Sequence, residues 1–424
     1  MIAYRGSLFV SLSGKWCMVS VIQSMVGSAL GLLLGGSPLL ESDPLWSKLD
    51  SFCQSSSAQP THFLVMAGGG TRDNTEIALE KNVLYFQRIL SHLGFNPKAA
   101  DVFFASGNSR EATVRFVNGR GQSLFKSPEI PEVRGASTPE NLKRWLQEAG
   151  RQKPNRPLFF YFTGHGLPNE LILWEDTRVS VQDLAQQLDQ LPPEKPVVTM
   201  MAQCFAGSFA DLIYEGGDST AAIAPHNRCG FFATVRTRPS VGCSPEVNEA
   251  DYVDYSSSFF AGLSGKNRLG EAVASADYDR DGRVSYQEAH AFAKVDLKTT
   301  DLPVSTLEVW LQEQVTPQER SLWLSQPLEA FVDLARPEQE YVILAIADRF
   351  GFDLQRSYRE NLNRLPFTQR VSRVNNTLLE RLQMEIFNIA KEQQIRVSPN
   401  QEAIAFIDHL LNCENQSWEK GRIR

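Results

Sequence analysis

Short segments with apolar side chains on both faces recur along this chain, and stretches of helical periodicity separate them. His62–Ala67 (HFLVMA), Asp101–Ala105 (DVFFA), Pro157–Thr163 (PLFFYFT), Pro196–Ala202 (PVVTMMA) and Gly230–Val235 (GFFATV) read as five strands. A strand without a polar face must be covered on both sides, as in a parallel sheet with helices above and below it. The helical stretches fall where that arrangement requires them. Glu76–Leu93 carries apolar residues at three- and four-residue steps and ends at Gly94, a C-capping residue. Thr138 and Pro139 open a second helix, and Val179–Leu191 is amphipathic. The expected fold is an α/β/α sandwich around a mainly parallel central sheet.

In such sheets ligands gather beyond the carboxyl ends of the strands. The third strand runs into Thr163-Gly164-His165-Gly166, and the fourth into Gln203-Cys204-Phe205-Ala206-Gly207. If these strands are neighbours, a thiol and an imidazole face one crevice. A thiolate is a strong nucleophile, and a nearby imidazole moves its proton. Backbone N–H groups of Gly166 and Cys204, at tight strand-end turns, supply donors for a tetrahedral oxyanion. Either residue alone is more simply a loop histidine or a buried cysteine. Their equivalent positions favour catalysis, with Cys204 as nucleophile and His165 as general acid/base, and no cofactor is needed for that chemistry.

The segments YFTGHG (Tyr161–Gly166) and AQCFAGS (Ala202–Ser208) resemble the signature of the caspases, legumain and their bacterial relatives, the clan CD cysteine peptidases. His165 precedes Cys204 by 39 positions, fewer than the roughly 50 of caspases. Gln203 stands directly before Cys204, unlike the caspase Q-A-C-x-G pattern. Both departures favour the legumain-like branch. The resemblance covers about residues 60–270 and implies a caspase-like fold and an endopeptidase. It implies a Cys–His dyad without an obligatory third member, a thioester acyl-enzyme, and selectivity for one residue before the cut. Family pockets would draw here on Arg72 and Asp73, on Arg236, Thr237, Arg238 and Ser240, and on Asp254. An inward arginine would select an acidic residue, and an exposed Asp254 a basic one. The other histidines match no motif. A non-catalytic binding module on this scaffold and a transpeptidase are the alternatives.

Residues 277–288, DYDRDGRVSYQE, follow the twelve-position EF-hand pattern. Asp277, Asp279 and Asp281 fill positions 1, 3 and 5, and Gly282 permits the turn at position 6. Arg283 offers its carbonyl, Ser285 stands at position 9 and Glu288 at position 12. Helical sequence is expected on both flanks, at Leu269–Ala276 and Tyr286–Val295. A single loop suits structural calcium rather than a sensor pair, and it could steady the adjoining substrate loop.

A basic start with Arg5 and Lys15 precedes an uncharged apolar run, Trp16–Gly36, which reads as a signal peptide or membrane anchor within residues 1–40. The protein is therefore expected to be exported, periplasmic or secreted, or membrane-anchored. Of the six cysteines, Cys17 lies in that run. With Cys204 reduced, Cys53, Cys229, Cys243 and Cys413 remain as disulfide candidates; Cys229 with Cys243 is the nearest local pair, and unpaired buried cysteines are the equal alternative. A peptidase domain is expected over 58–300. Helices at Pro317–Leu324, Glu338–Phe350, Asn376–Lys391 and Asn400–Leu411 would form a C-terminal region, 301–424, that could cap the active site. The net charge of −7 argues against a nucleic-acid partner and leaves a peptide or protein substrate.

Overall fold

The computed structural model describes residues 60–152 and 156–418, together with the backbone of Leu8–Leu12 and Lys15–Val19. The chain divides into two units, 1–58 and 59–424. In the first, Leu8–Leu12 and Lys15–Val19 pair as an antiparallel hairpin. The rest of the expected leader, including most of the Trp16–Gly36 run, lies outside the described residues.

The second unit is built on a nine-stranded sheet. Its strands are β1 (His62–Gly68), β2 (Ala100–Phe104), β3 (Val133–Gly135), β4 (Leu158–Leu167), β5 (Glu170–Ile172), β6 (Arg178–Ser180), β7 (Val197–Met201), β8 (Arg228–Phe232) and β9 (Val304–Ser305). The order across the sheet is β9-β8-β7-β4-β1-β2-β3, with β5 on β4 and β6 on β5. All pairs from β8 to β3 are parallel, and β9 adds an antiparallel edge. Alternation along β1 explains the two-sided apolar pattern. Phe63, Val65 and Ala67 join one core with the helices Ile77–His92, Tyr255–Ser264 and Tyr286–Asp296. Leu64 and Met66 join another core with Pro139–Arg151 and Val181–Leu188. The α/β/α sandwich with a mainly parallel sheet is therefore the fold.

The segment 107–135, between β2 and the end of β3, carries ordered structure of its own. Val114–Val117 and Ser123–Lys126 form a hairpin, held to the body where Arg115 N–H donates to Thr75 O and Val117 N–H to Pro245 O. The helix expected at Leu269–Ala276 is absent: the preceding helix stops at Gly265 in the left-handed region (φ 72°), Gly270 turns again (φ 81°), and Ala272 bridges to Lys266. Val273 and Ala276 still pack on the apolar cluster of Ala261 and Phe292, but the left-handed Gly270 interrupts the helix that their spacing suggests.

The C-terminal helices are present, and they lie with the sheet in one compact unit, 59–424. Cys413, in the helix Gln401–Glu414, is bonded to Cys229 of β8, in place of the local Cys229–Cys243 pair. Beyond it Trp418 packs edge-on against Phe63, Phe86 and Phe159 beneath the sheet. The disulfide closes a span of 184 residues, and native bridges of this kind contribute about 2–5 kcal/mol. Cys413→Ser is expected to lower the melting temperature by roughly 4–10 °C, read by calorimetry against the non-reduced parent.

Candidate active site

The register fixes the relation of the two motif residues. Met201 pairs with Phe162 in the β7–β4 ladder, so Cys204 and His165 each lie three residues beyond the same paired position. Gly166 lies against the Cys204 backbone: a Cβ there would stand 2.7 Å from Cys204 O and 2.5 Å from Gln203 Cγ. The two strand ends are therefore in contact, which only glycine allows. Directly after Cys204 the chain turns sharply. Phe205 adopts a left-handed conformation (φ 58°), and its N–H donates to Arg238 O while Gly207 N–H donates to Thr234 O. Backbone of this kind stores about 1–3 kcal/mol and persists where surrounding bonds hold it.

Both ring nitrogens of His165 are engaged. Nε2 faces the Glu76 carboxylate at 3.0 Å and Asn74 O at 2.9 Å. Nδ1 faces Cys243 Sγ at 3.7 Å, and it is this thiol, not that of Cys204, that hydrogen-bonds the imidazole. Cys204 Sγ instead accepts from Ser240 N–H at 3.3 Å. Loop 240–243 thus touches both residues, one at each end. Burial opposes charge on His165, but Cys243 and Glu76 outweigh it and push the imidazole up to about 11. Burial likewise disfavours the Glu76 carboxylate, yet His165 and Arg115 hold it below the usual range. Burial raises the Cys204 thiol above its ordinary value, although Ser240 N–H and the His165 charge pull the other way. These shifts favour the protonated form of both groups near neutral pH, an imidazolium at His165 and a thiol at Cys204.

The Ser240 loop has its own anchor. Asp301, fully buried, accepts from Val241 N–H at 2.9 Å and from Ser240 Oγ at 3.0 Å. Burial pushes its carboxyl up to about 7 against those bonds. The Asp301 carbonyl in turn accepts from Arg381 of the helix Arg373–Arg396.

The residues expected to shape the pocket separate into distinct groups. Ser240 lies beside Cys204. Arg236 forms a two-pronged pair with Asp211 and a third contact with Glu313, and Arg238 pairs with Glu380 at 2.8 Å. Their charges are thus answered within the chain. Arg72 and Asp73 are exposed, with the Arg72 guanidinium 3.8 Å over the Phe125 ring. Asp254 is not an exposed selector: it is buried, caps the helix Tyr255–Ser264 and pairs with Arg268 at 3.0 Å.

At the loop 277–288 one oxygen each of Asp277, Asp279 and Asp281 lies within 4.8 Å of the others. Asp277 Oδ1 is buried without a hydrogen-bond partner, an uncommon state for a carboxylate and one that a cation answers. Gly282 takes the left-handed turn (φ 85°), and Glu288 reaches back to the Tyr278 N–H at 2.7 Å. Ser285 caps the outgoing helix. The Arg283 guanidinium lies 3.8 Å from Asp281. These residues fit calcium. The loop also contacts the C-terminal region: Tyr278 stacks on Tyr341 of the helix Pro337–Phe350, Ser417 Oγ donates to Val284 O, and Tyr286 N–H donates to Gln416 O.

No protein-family model matches the sequence, and no curated protein does. Among solved structures, the chain is similar to caspase-1 from Spodoptera frugiperda, with 12% identity, a TM-score of 0.35, and coverage of 64% of this chain and 93% of that one. It is also similar to a secreted C11 cysteine protease from Bacteroides thetaiotaomicron, with 12% identity and a TM-score of 0.24 over 43% of this chain. Here the match spans about half of the relative's length, 49%.

Glu76, Asn74, Cys243 and Asp301 were not legible as site residues. Glu76 and His165 are 89 positions apart, and nothing local marks the first residues of a helix as an imidazole partner. Cys243 carries a signal, a cysteine within 40 residues of Cys204, but its sequence suits a pair with Cys229 or an unpaired buried thiol equally well.

Proposed function

We propose that this protein is a cysteine endopeptidase in which Cys204 attacks the scissile carbonyl and His165 carries the proton. The observation that bears most weight is the shared register, which brings the two strand ends together at Gly166. Cys204 first loses its thiol proton to solvent, and attack by the resulting thiolate forms a tetrahedral intermediate, with the Gly166 and Cys204 N–H groups as donors to its oxyanion. The His165 imidazolium protonates the leaving amine, a thioester remains on Cys204, and water then releases the acid. Glu76 and Asn74 O hold Nε2, which leaves Nδ1 as the face for proton transfer. Cys243 occupies that face in the substrate-free state, so loop 240–243 must shift as substrate enters. Profiling with a peptide library tests this reading, and cleavage that persists in Cys204→Ala would reject it. A non-catalytic binding module is the second reading, favoured by the engagement of both imidazole nitrogens. It predicts peptide binding without cleavage by the parent.

Structural calcium at Asp277, Asp279, Asp281, the Arg283 carbonyl, Ser285 and Glu288 belongs to the same reading, on the strength of the orphaned Asp277 oxygen. At calcium tenfold above its dissociation constant, the ion contributes about 1.4 kcal/mol. Chelation is therefore expected to lower the melting temperature by about 2–5 °C, and Asp277→Asn to remove that response. Identical melting curves with and without calcium would overturn it. The Cys229–Cys413 bridge suits an oxidising compartment, which supports export. Among the described residues no helix is long and apolar enough to cross a membrane.

A further inference from the structure

Glu76, His165 and Cys243 bring a carboxylate oxygen, an imidazole nitrogen and a thiol sulfur within 4.8 Å of one another. None of the three comes from the strand-end cysteine motif, and two arrive from distant segments. Glu76 stands immediately before the helix Ile77–His92, and Cys243 sits on the loop after β8. The mixed donor set has a definite chemistry. Zinc takes nitrogen, oxygen and sulfur ligands in a tetrahedron, at about 2.0–2.1 Å to nitrogen and about 2.3 Å to sulfur. Nitrogen and sulfur ligands of one ion therefore lie about 3.5 Å apart, close to the 3.7 Å between His165 Nδ1 and Cys243 Sγ. Hard cations such as calcium and magnesium prefer oxygen alone, whereas thiolate and imidazole favour zinc.

The surroundings are built as metal sites are built. Arg115 holds the other oxygen of Glu76 at 2.7 Å, which orients the carboxylate and leaves Oε2 turned to the imidazole. Outer contacts of this type fix ligands in metal centres. Glu76 is buried, and His165 and Cys243 are half-buried, so the cluster is reachable from the crevice yet partly dry. Cys243 is a free thiol, because the available disulfide joins Cys229 to Cys413.

We propose that Glu76, His165 and Cys243 form an inhibitory zinc site. On binding, the Cys243 thiol and the His165 imidazolium each release a proton to solvent, and zinc takes the vacated Cys243 sulfur and His165 Nδ1 pairs; Glu76 turns an oxygen from Nε2, which keeps Asn74 O, to supply the third ligand. The fourth position stays open to water. An imidazole bound to zinc cannot carry a proton to or from Cys204, so the ion arrests the peptidase reversibly. The inhibitory part rests on the function proposed above. The binding part does not, and the test keeps them separate.

The full chain carrying Cys204→Ala is titrated with zinc chloride against a chromophoric indicator, with calcium in the buffer. One equivalent is expected to bind at about micromolar affinity or tighter. Adding Cys243→Ala, or separately Glu76→Gln, is expected to weaken binding by at least about tenfold. Cobalt(II) in place of zinc should give a thiolate charge-transfer band that disappears with Cys243→Ala. In the parent, one equivalent of zinc should suppress peptide cleavage at least about tenfold, with recovery on adding a chelator selective for zinc over calcium. No zinc uptake, uptake unaffected by both substitutions, or uptake abolished by Cys204→Ala alone would each overturn the site. A chain that binds zinc through Cys243 but cleaves no peptide would leave the site standing and remove the proposed function instead.

Discussion

Cys204→Ala is expected to reduce kcat/KM for peptide cleavage by at least about 10⁴-fold, the scale seen when the nucleophile of a covalent hydrolase is removed. Cys243→Ala is expected to keep cleavage within about tenfold of the parent. The contrast matters because the hydrogen bond to His165 belongs to Cys243, not to Cys204. A reading from contact alone would make Cys243 the nucleophile. The backbone argues otherwise. Cys204 stands at a strand end, at the shared register with His165, on a turn whose left-handed Phe205 is held by two backbone bonds. Cys243 stands in a loop with no strand-end register to His165, and it follows Gly242 (φ 147°), where an added Cβ would meet Asp254 Cβ at 2.8 Å. A peptide electrophile that alkylates the enzyme irreversibly provides the direct check: mass spectrometry should place the adduct on Cys204. An adduct on Cys243, or cleavage lost only with Cys243→Ala, would reverse the assignment.

The pH dependence of that alkylation carries a second reading of the site. Burial holds the Cys204 thiol above its ordinary value, so its thiolate fraction is small at neutral pH and grows as pH rises. His165 keeps its proton to about 11 while Cys243 and Glu76 flank it. The reactive thiolate–imidazolium form therefore accumulates on the alkaline side in the free enzyme. Substrate that displaces Cys243 removes one of the groups supporting the imidazolium, lowers its pKa, and lets it exchange a proton with Cys204.

The parts of this fold that were legible in the sequence are those written by local periodicity. LFFYF at 158–162 allows neither face to meet water, and the structure covers both. Thr138-Pro139 marks a helix start, and Thr138 accepts from Asn141 N–H there. The strand-end cysteine and histidine followed from the same pattern, since two-sided strands imply a parallel sheet and a parallel sheet puts its ligand edge at the carboxyl ends. The failures share a different cause. The missing helix at 269–276 had apolar residues at helical spacing, but the left-handed Gly270 breaks it near its start, and so short a segment has little helical stability of its own to resist that. Cys229 met Cys413 rather than Cys243 because the C-terminal helix returns to β8, and a contact 184 residues long leaves no local trace. The same holds for Glu76 with His165 and for Arg381 with Asp301. Periodicity specifies layers, whereas the groups that tune a site arrive from wherever the chain returns.

Arg381 makes the strongest case that the C-terminal helices belong to the active domain rather than cap it. Its guanidinium is almost fully buried and donates to the carbonyls of Lys294, Leu297, Thr299 and Asp301. Burial lowers its pKa to about 10, still leaving it charged at neutral pH. Those carbonyls shape the segment that carries Asp301, Asp301 holds Ser240 and Val241, and Ser240 N–H meets the Cys204 sulfur. One side chain of the helical region thus supports Cys204 through a chain of hydrogen bonds. Arg381→Met keeps the apolar stem but leaves four buried acceptors unanswered, at about 1–3 kcal/mol each. The expected loss is at least about 4 kcal/mol, a fall of roughly 8 °C or more in melting temperature, with kcat reduced in the fraction that remains folded. Truncation after residue 300 should go further, because it also removes β9, the Cys413 partner of Cys229, and Trp418 from the core. The truncated chain is expected to be insoluble and inactive. A removable cap predicts the reverse: a soluble truncated chain that cleaves faster than the full protein would show that these helices restrain the site instead of building it.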